Sequence, residues 1–230
     1  MHSLNANLTH RNTGVGYESG YYTTGADNTY VGFKAGLGTA GAEANNVGVG
    51  ANALLSITTG GNNTAVGKDA LDKLTIGTSN TVVGTSALTD EVLGNGTTSV
   101  GYAALFKQAM DVNNEISHNT AMGGYAGYSN VTGKFNTYIG YEAGFGASGQ
   151  SNSYNTGIGT DALTVITTGG YNTAVGYQSG IAITSGNSNV LLGRGTGVAM
   201  TTQDEMVLIG NDAGMAINHD DADGTVAIGY

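Results

Sequence analysis

The chain has 230 residues, 40 of them glycine, and a net charge of −10 from 7 basic and 17 acidic side chains; proline, cysteine and tryptophan are absent. Without cysteine there is neither a disulfide nor a thiolate metal site, seven cations cannot line a nucleic-acid groove, and no run of about 18 apolar residues is present to cross a bilayer. Glycine without proline or a three-residue period also excludes collagen.

Residues 1–11 are a lead-in with no apolar run of signal-peptide length. From Asn12 onward a pattern Asn-Thr-x-Val-Gly-x-x-Ala-(Gly or Leu) recurs about every 17 residues. It starts at Asn12, Asn28, Asn46, Asn63, Asn80 and Thr97, then at Asn119, Asn136, Asn155, Asn172, Asn189, Met206 and Thr225. A period of this size means a solenoid of stacked units.

Within each unit, the second position is always Thr or Val and the fourth is always aliphatic or Met, from Val15 to Ile228. β-Branched residues at period two predict a short strand, and the unbroken apolar fourth position is expected to face the core. The third position (Gly14, Tyr30, Gly48, Ala65, Val82, Tyr138) varies in size. It is expected to point outward, where it would serve subunit packing or recognition. The glycine closing each strand fits a positive φ or a close approach of the next turn.

A small residue such as Ala35, Ala53 or Ala162 predicts a tight corner. A second apolar stretch ending in glycines, as in Leu54–Gly61 and Leu163–Gly170, predicts a second short strand and a turn. The fold class is therefore all-β: a parallel β-roll or β-solenoid of about 13 coils, a rod of about 60 Å at the usual strand spacing. The leading asparagines suggest a ladder of side-chain amides or a row of turn residues.

A larger repeat overlies the small one. Ala53–Gly67 matches Ala162–Gly176 at 12 of 15 positions, and Asn28–Gly38 is echoed by Asn136–Gly146. This divides the chain into the lead-in 1–11, a six-coil block 12–118, a second block 119–224 and an incomplete coil 225–230. An incomplete coil leaves a strand edge, which either more chain or the first coil of another copy, joined head to tail, is expected to complete.

Chemistry has little to stand on. His2, His10, His118 and His219 are scattered, no Gly-x-Ser-x-Gly elbow is present, and the Gly-x-Gly strings follow the coil without a helix. The chain is not expected to be an enzyme or to need a cofactor. Asn218–Gly224 crowds oxygen ligands, making Asp220, Asp221 and Asp223 weak candidates for a metal in a chain otherwise without one. Sequons stand at Asn7, Asn62, Asn95 and Asn130. Threonine pairs such as Thr58-Thr59 and Thr167-Thr168 suggest ordering of water, as on ice-binding solenoids. Tyr17, Phe33, Tyr102, Tyr141 and Tyr177, just after the glycine, read as packing rings before sugar platforms.

The run Asn62–Leu71, and the Thr-Thr-Gly-Gly-x-Asn-Thr-Ala-Val-Gly that recurs at Thr58–Gly67 and Thr167–Gly176, resembles the repeats upstream of intramolecular chaperone domains in phage tail fibres. Val226–Gly229 is similar to the Val-Ala-Ile-Gly core of trimeric autotransporter adhesin heads, whose coils are shorter. The resemblance covers about residues 12–230. It implies a parallel homotrimer of left-handed β-rolls, outside the cell, on its surface or on a virion, acting as a structural fibre, shaft or adhesin. Alternatives are a self-assembling extracellular filament and a glycan-binding or ice-binding solenoid. Partners expected are other copies of the chain and a cell-surface glycan, with no nucleic acid and no membrane insertion.

Overall fold

The computed structural model describes residues 11–39, 41–110, 112, 115–147, 149 and 151–229. The lead-in other than Arg11, with His2, His10 and Asn7, lies outside them, as does Tyr230. The chain forms two compact units, residues 1–118 and 119–230. The first carries β1 (Thr13–Val15), β2 (Thr29–Val31), β3 (Val47–Val49), β4 (Thr64–Val66), β5 (Thr81–Val83) and β6 (Thr98–Val100). The second carries β7 (Thr120–Met122), β8 (Thr137–Ile139), β9 (Thr156–Ile158), β10 (Thr173–Val175), β11 (Val190–Leu192), β12 (Val207–Ile209) and β13 (Val226–Ile228). Within each unit every strand pairs in parallel with its sequence neighbours, so that Thr64 meets Thr81 and Val66 meets Val83. The fold is an all-β parallel solenoid.

Each described coil contains one strand, not two. Leu54–Gly61 and Leu163–Gly170 run as turns and bends, and their backbone groups bond coil to coil: Leu54 N donates to Ala70 O at 3.1 Å and Thr58 N to Thr75 O at 2.8 Å. The sequence hides this because the turn is built from non-glycine residues in left-handed conformation. Asp69 and Leu71, at φ 56° and 51°, bend the chain within three residues, so an apolar pair such as Leu54 and Leu55 need not be extended. The inter-coil ladder of a strand survives without its dihedrals.

The two faces of the strand are the reverse of the expectation. The third position is the core: Tyr30, Ala65, Val82, Ala121, Tyr138, Ala174, Leu191 and Leu208 have no exposed surface. The fourth position faces outward, half-buried in most coils and open at Val15 (57% exposed) and Ile228 (74%). In a three-residue strand only the middle side chain points opposite to its neighbours, and here it points in. The core is completed by the small eighth position (Ala35, Ala53, Ala70), the ninth (Leu54, Leu71, Leu88) and the twelfth (Ile57, Leu74, Ile166), all buried.

The third and ninth positions share this interior, which accounts for the varying size of the third. Where it is Tyr30 or Tyr138, the ninth is Gly36 or Gly144, and a Cβ on either glycine would sit 2.3 Å from the ring. Where it is Gly48 or Gly157, the ninth is Leu54 or Leu163. Volume is thus supplied from the strand or from the turn, as close packing demands.

The glycine after each strand behaves as expected. Gly67 has φ +139°, and a Cβ there would lie 2.4 Å from the carbonyl oxygen of Gly84 in the next coil. The same contact recurs from Gly16 on Gly32 to Gly176 on Gly193.

Candidate functional site

The leading asparagines are structural. Asn46, Asn63 and Asn80 are buried. Asn63 Oδ1 accepts from the Asn80 backbone N–H at 3.0 Å and from Asn80 Nδ2 at 3.1 Å, while Asn63 Nδ2 donates to Gly77 O at 2.9 Å. Each side chain therefore fastens the next coil and closes its own. In the second unit Asn119, Asn136, Asn155, Asn172 and Asn189 repeat the arrangement, and Met206 N–H donates to Asn189 Oδ1 at 3.0 Å.

What remains for function is the surface, and its most regular part is the outward face of the strands. Positions two and four place Thr13 and Val15, Thr64 and Val66, Thr81 and Val83 in columns on the first unit, and Thr120 and Met122, Thr137 and Ile139, Val190 and Leu192 on the second. None of the acidic or basic residues of the chain occupies these positions. Charge is gathered at the corners and turns, where Lys73 and Lys107 meet Asp90 at 2.6 and 3.4 Å, and Arg194 meets Asp212 at 2.9 Å. Arg11 holds Asp27 through two bonds of 2.6 and 2.8 Å. The strand face is uncharged, mostly β-branched and half-buried to exposed in the single chain.

Aromatic columns flank this face. Tyr17 and Phe33 stack at 5.6 Å, and Tyr102, Tyr141 and Tyr177 are exposed at the same coil position. Hydrogen bonds to Glu18 and Glu142 hold the Tyr17 and Tyr141 hydroxyls above their usual pKa. A second column, Phe135, Tyr154 and Tyr171, occupies the residue just before the ladder asparagine and is exposed throughout. Sequence reasoning passed over it, although its place next to Asn136, Asn155 and Asn172 was a sufficient signal.

The remaining candidates are not brought together. Asp220–Ala222 form a short 3-10 helix, capped by His219 Nδ1, which accepts from Asp221 N–H at 3.2 Å. Asp221 is exposed, while Asp223 Oδ1 accepts from Asp204 N–H at 2.9 Å. Among the described residues no three His, Asp or Glu side chains converge on a cation position. His118 lies in left-handed conformation at the end of the first unit. Of the sequons, Asn130 is buried and donates to Gly133 O, Asn95 is half-buried and Asn62 is exposed.

No family model, curated protein or solved structure matches the chain.

Two buried acids complete the picture, both in the first unit. Glu91 has no exposed surface, yet both carboxylate oxygens are engaged: Oε1 accepts from the amides of Val92, Leu93, Gly94 and Met110 at 2.7–3.2 Å, and Oε2 from Gln108 Nε2 at 3.0 Å. Glu43 is as deeply buried, but its Oε2, the Tyr30 hydroxyl and the Thr23 hydroxyl have no hydrogen-bond partner among the described residues. Burial pushes the Glu43 carboxyl up to about 7. In the second unit the equivalent Tyr138 hydroxyl is satisfied by Asn152 Oδ1.

Proposed function

We propose that the chain is a structural segment of an extracellular or virion fibre, a shaft in which three parallel copies associate through their strand faces. The observation that carries this reading is the uncharged column of Thr, Val, Ile and Leu on the outside of the strands. A chain of net charge −10 keeps every charged group off one regular surface. An uncharged face of this regularity on a strongly acidic chain is of the kind that serves as an interface. Stacked backbone bonds in strand and turn alike supply the stiffness a shaft needs.

The test is the mass of the full chain by light scattering, alone and as the double variant Val66→Lys/Val83→Lys. Both residues face outward, so the charges leave the core of a single chain untouched. The wild type is expected at three times the 23.1 kDa chain mass and the variant at the single-chain mass. A wild-type chain at 23.1 kDa would sink the reading, and a mass that grows with concentration would replace it with a head-to-tail filament.

One observation favours a second reading. Thr64, Thr81 and Thr98 stand in register on adjacent strands, as do Thr120, Thr137, Thr156 and Thr173. A flat threonine lattice at strand spacing orders water, so ice binding through the same face would show as growth inhibition of ice crystals, lost in Thr81→Lys.

A further inference from the structure

The column Phe135, Tyr154, Tyr171 breaks a local rule. All three residues hold left-handed backbone, with φ of 58°, 62° and 60°. In the first unit the same position is Asp27, Asn45, Asn62 and Ser79, at φ 59–62°. Asp and Asn are enriched in this conformation, and a bulky side chain there is an outlier. Left-handed leucines such as Leu54 and Leu71 fill the core, but these three rings, in successive coils, are exposed, so core packing does not account for them.

The geometry says which surface is available. Phe135 and Tyr154 stack at 5.1 Å and 11°, and Tyr154 and Tyr171 at 4.7 Å and 3°. The inner ring faces therefore cover one another, and the free face is the far side of Tyr171, which is 62% exposed. The next residue in the column is Ser188 and the one after it Glu205, both exposed and both left-handed at φ 58°. The column thus steps down from a ring to a hydroxymethyl group, then up to a carboxylate. Tyr171 and Glu205 are two coils apart, about 10 Å at strand spacing. Among the described residues no hydrogen bond or ion pair engages the Ser188 or Glu205 side chain.

We propose that the open face of Tyr171, with Ser188 and Glu205 beside it, is a binding site for one neutral pyranose ring. A saturated ring lays its axial C–H bonds on a flat aromatic face and turns its hydroxyls to the rim. There the Glu205 carboxylate accepts and Ser188 both donates and accepts. An anionic ligand is disfavoured by Glu205 and by the acidity of the chain. A quaternary ammonium ion calls for several ring faces around it, and here only one is free. The site lies beside the strand face and does not depend on the shaft reading.

The experiment is saturation-transfer NMR on the full chain with methyl β-D-glucopyranoside and methyl β-D-galactopyranoside, and with tetramethylammonium as the cationic probe. One ring on one aromatic face gives a dissociation constant in the millimolar range, with transfer strongest at the axial protons of one sugar face. Tyr171→Ser should weaken binding at least about tenfold. Because Ser79 and Ser188 occupy the same position in other coils, that variant should fold. Glu205→Gln should weaken binding about threefold, and Tyr177→Ser, in another column, should leave it unchanged. Absence of transfer from either glycoside, transfer indifferent to Tyr171→Ser, or binding of tetramethylammonium in place of the sugars would each overturn the proposal. So would a Tyr171→Ser variant that changes the mass of the assembly and not sugar binding, since the column would then be a contact between copies. The mass measurement is separate, so loss of the trimer and loss of sugar binding are read independently.

Discussion

The two six-coil units share one backbone plan and fill it with different chemistry. At the twelfth position the first unit carries Ile57, Leu74, Glu91 and Gln108, where the second carries Ile166, Ile183, Met200 and Ile217. Each ladder of five asparagines is followed by a different residue, Thr97 in the first and Met206 in the second. Thr97 continues a polar cluster, its hydroxyl meeting Ser117 Oγ and accepting from Gln108 Nε2; Met206 is simply buried. The coil backbone does not require an apolar core. It admits polar groups that find partners, as around Glu91 and Thr97, and also holds Glu43 with one oxygen unpartnered among the described residues.

The sharpest way to break both units alike is through the glycines they share. Gly67→Ala and its counterpart Gly176→Ala each drive a Cβ to within 2.4 Å of the next coil's carbonyl, at φ near +140°. Neither backbone can yield without breaking the inter-coil bonds beside it. Each substitution is expected to cost more than about 4 kcal/mol, seen as loss of cooperative unfolding by circular dichroism. A tolerated alanine at both sites would mean that the coils do not stack at this distance.

Glu91 separates the units. Glu91→Ala removes the acceptor for four amides and for Gln108, and should destabilise the first unit by about 3–5 kcal/mol. The second unit shows the remedy: opposite Met200, Gln203 Oε1 accepts from Thr201 and Thr202 N–H at 2.8 and 3.3 Å. Gln203 occupies the position of Gly94, and a Cβ on Gly94 would lie 2.7 Å from the Glu91 carboxylate. The two solutions are therefore mutually exclusive. Glu91→Met/Gly94→Gln should recover most of what Glu91→Ala loses, whereas Gly94→Gln alone should be worse than wild type. Urea midpoints of the four chains decide it, and additive effects would show that the exclusion is not real.

Glu43 makes the first unit sensitive to pH. Its carboxyl is raised to about 7 in the folded chain from an ordinary 4.5, so the folded state holds the proton more tightly. The stabilisation is complete below about pH 4.5 and is lost as pH rises through about 7. Burial and the neighbouring Asp69 raise Asp72, also in the first unit, to about 6, with the same sign. Between pH 5 and 8 the first unit should lose on the order of 1–3 kcal/mol while the second, with Asn152 in the place of Glu43, should not. Hydrogen exchange converted to opening free energies reads each unit separately. Glu43→Asn should remove the larger part of the dependence, and a slope unchanged by that substitution would assign it elsewhere.

The repeat, its parallel stacking and the role of asparagine were legible because each rests on a residue type that recurs: glycine where φ is positive, asparagine where an amide must bond upward. The orientation of the strand was not. Val15, Val31 and Val49 look like a core stripe because they do not vary, yet constancy along a column of stacked strands does not say which side of the sheet it lies on. The signal that settles the direction is a compensation between distant positions: Tyr30 with Gly36 and Tyr138 with Gly144, against Gly48 with Leu54 and Gly157 with Leu163. Only residues sharing one closed volume trade size in this way. The second strand was misplaced for a related reason. Left-handed leucines such as Leu54 and Leu71 do not announce a turn, because leucine rarely adopts that conformation outside a stacked coil that imposes it.

The smallest effect asks why the second unit keeps aromatic rings where the first keeps Asn and Asp. Tyr154→Asn should relieve about 1 kcal/mol of left-handed strain. It also removes two stacked contacts, each about 0.5–1.5 kcal/mol when well buried and less at a position as exposed as this one. The two terms nearly cancel, and a shift in the unfolding midpoint no larger than about 0.5 kcal/mol is expected. Tyr171→Ser has one stack to lose and the same strain to relieve, so it should be neutral or slightly stabilising. A clear loss of stability in both variants would make the column a structural staple of the second unit. Neutrality would leave the rings without a role in the fold and turn attention to what the open face of Tyr171 holds.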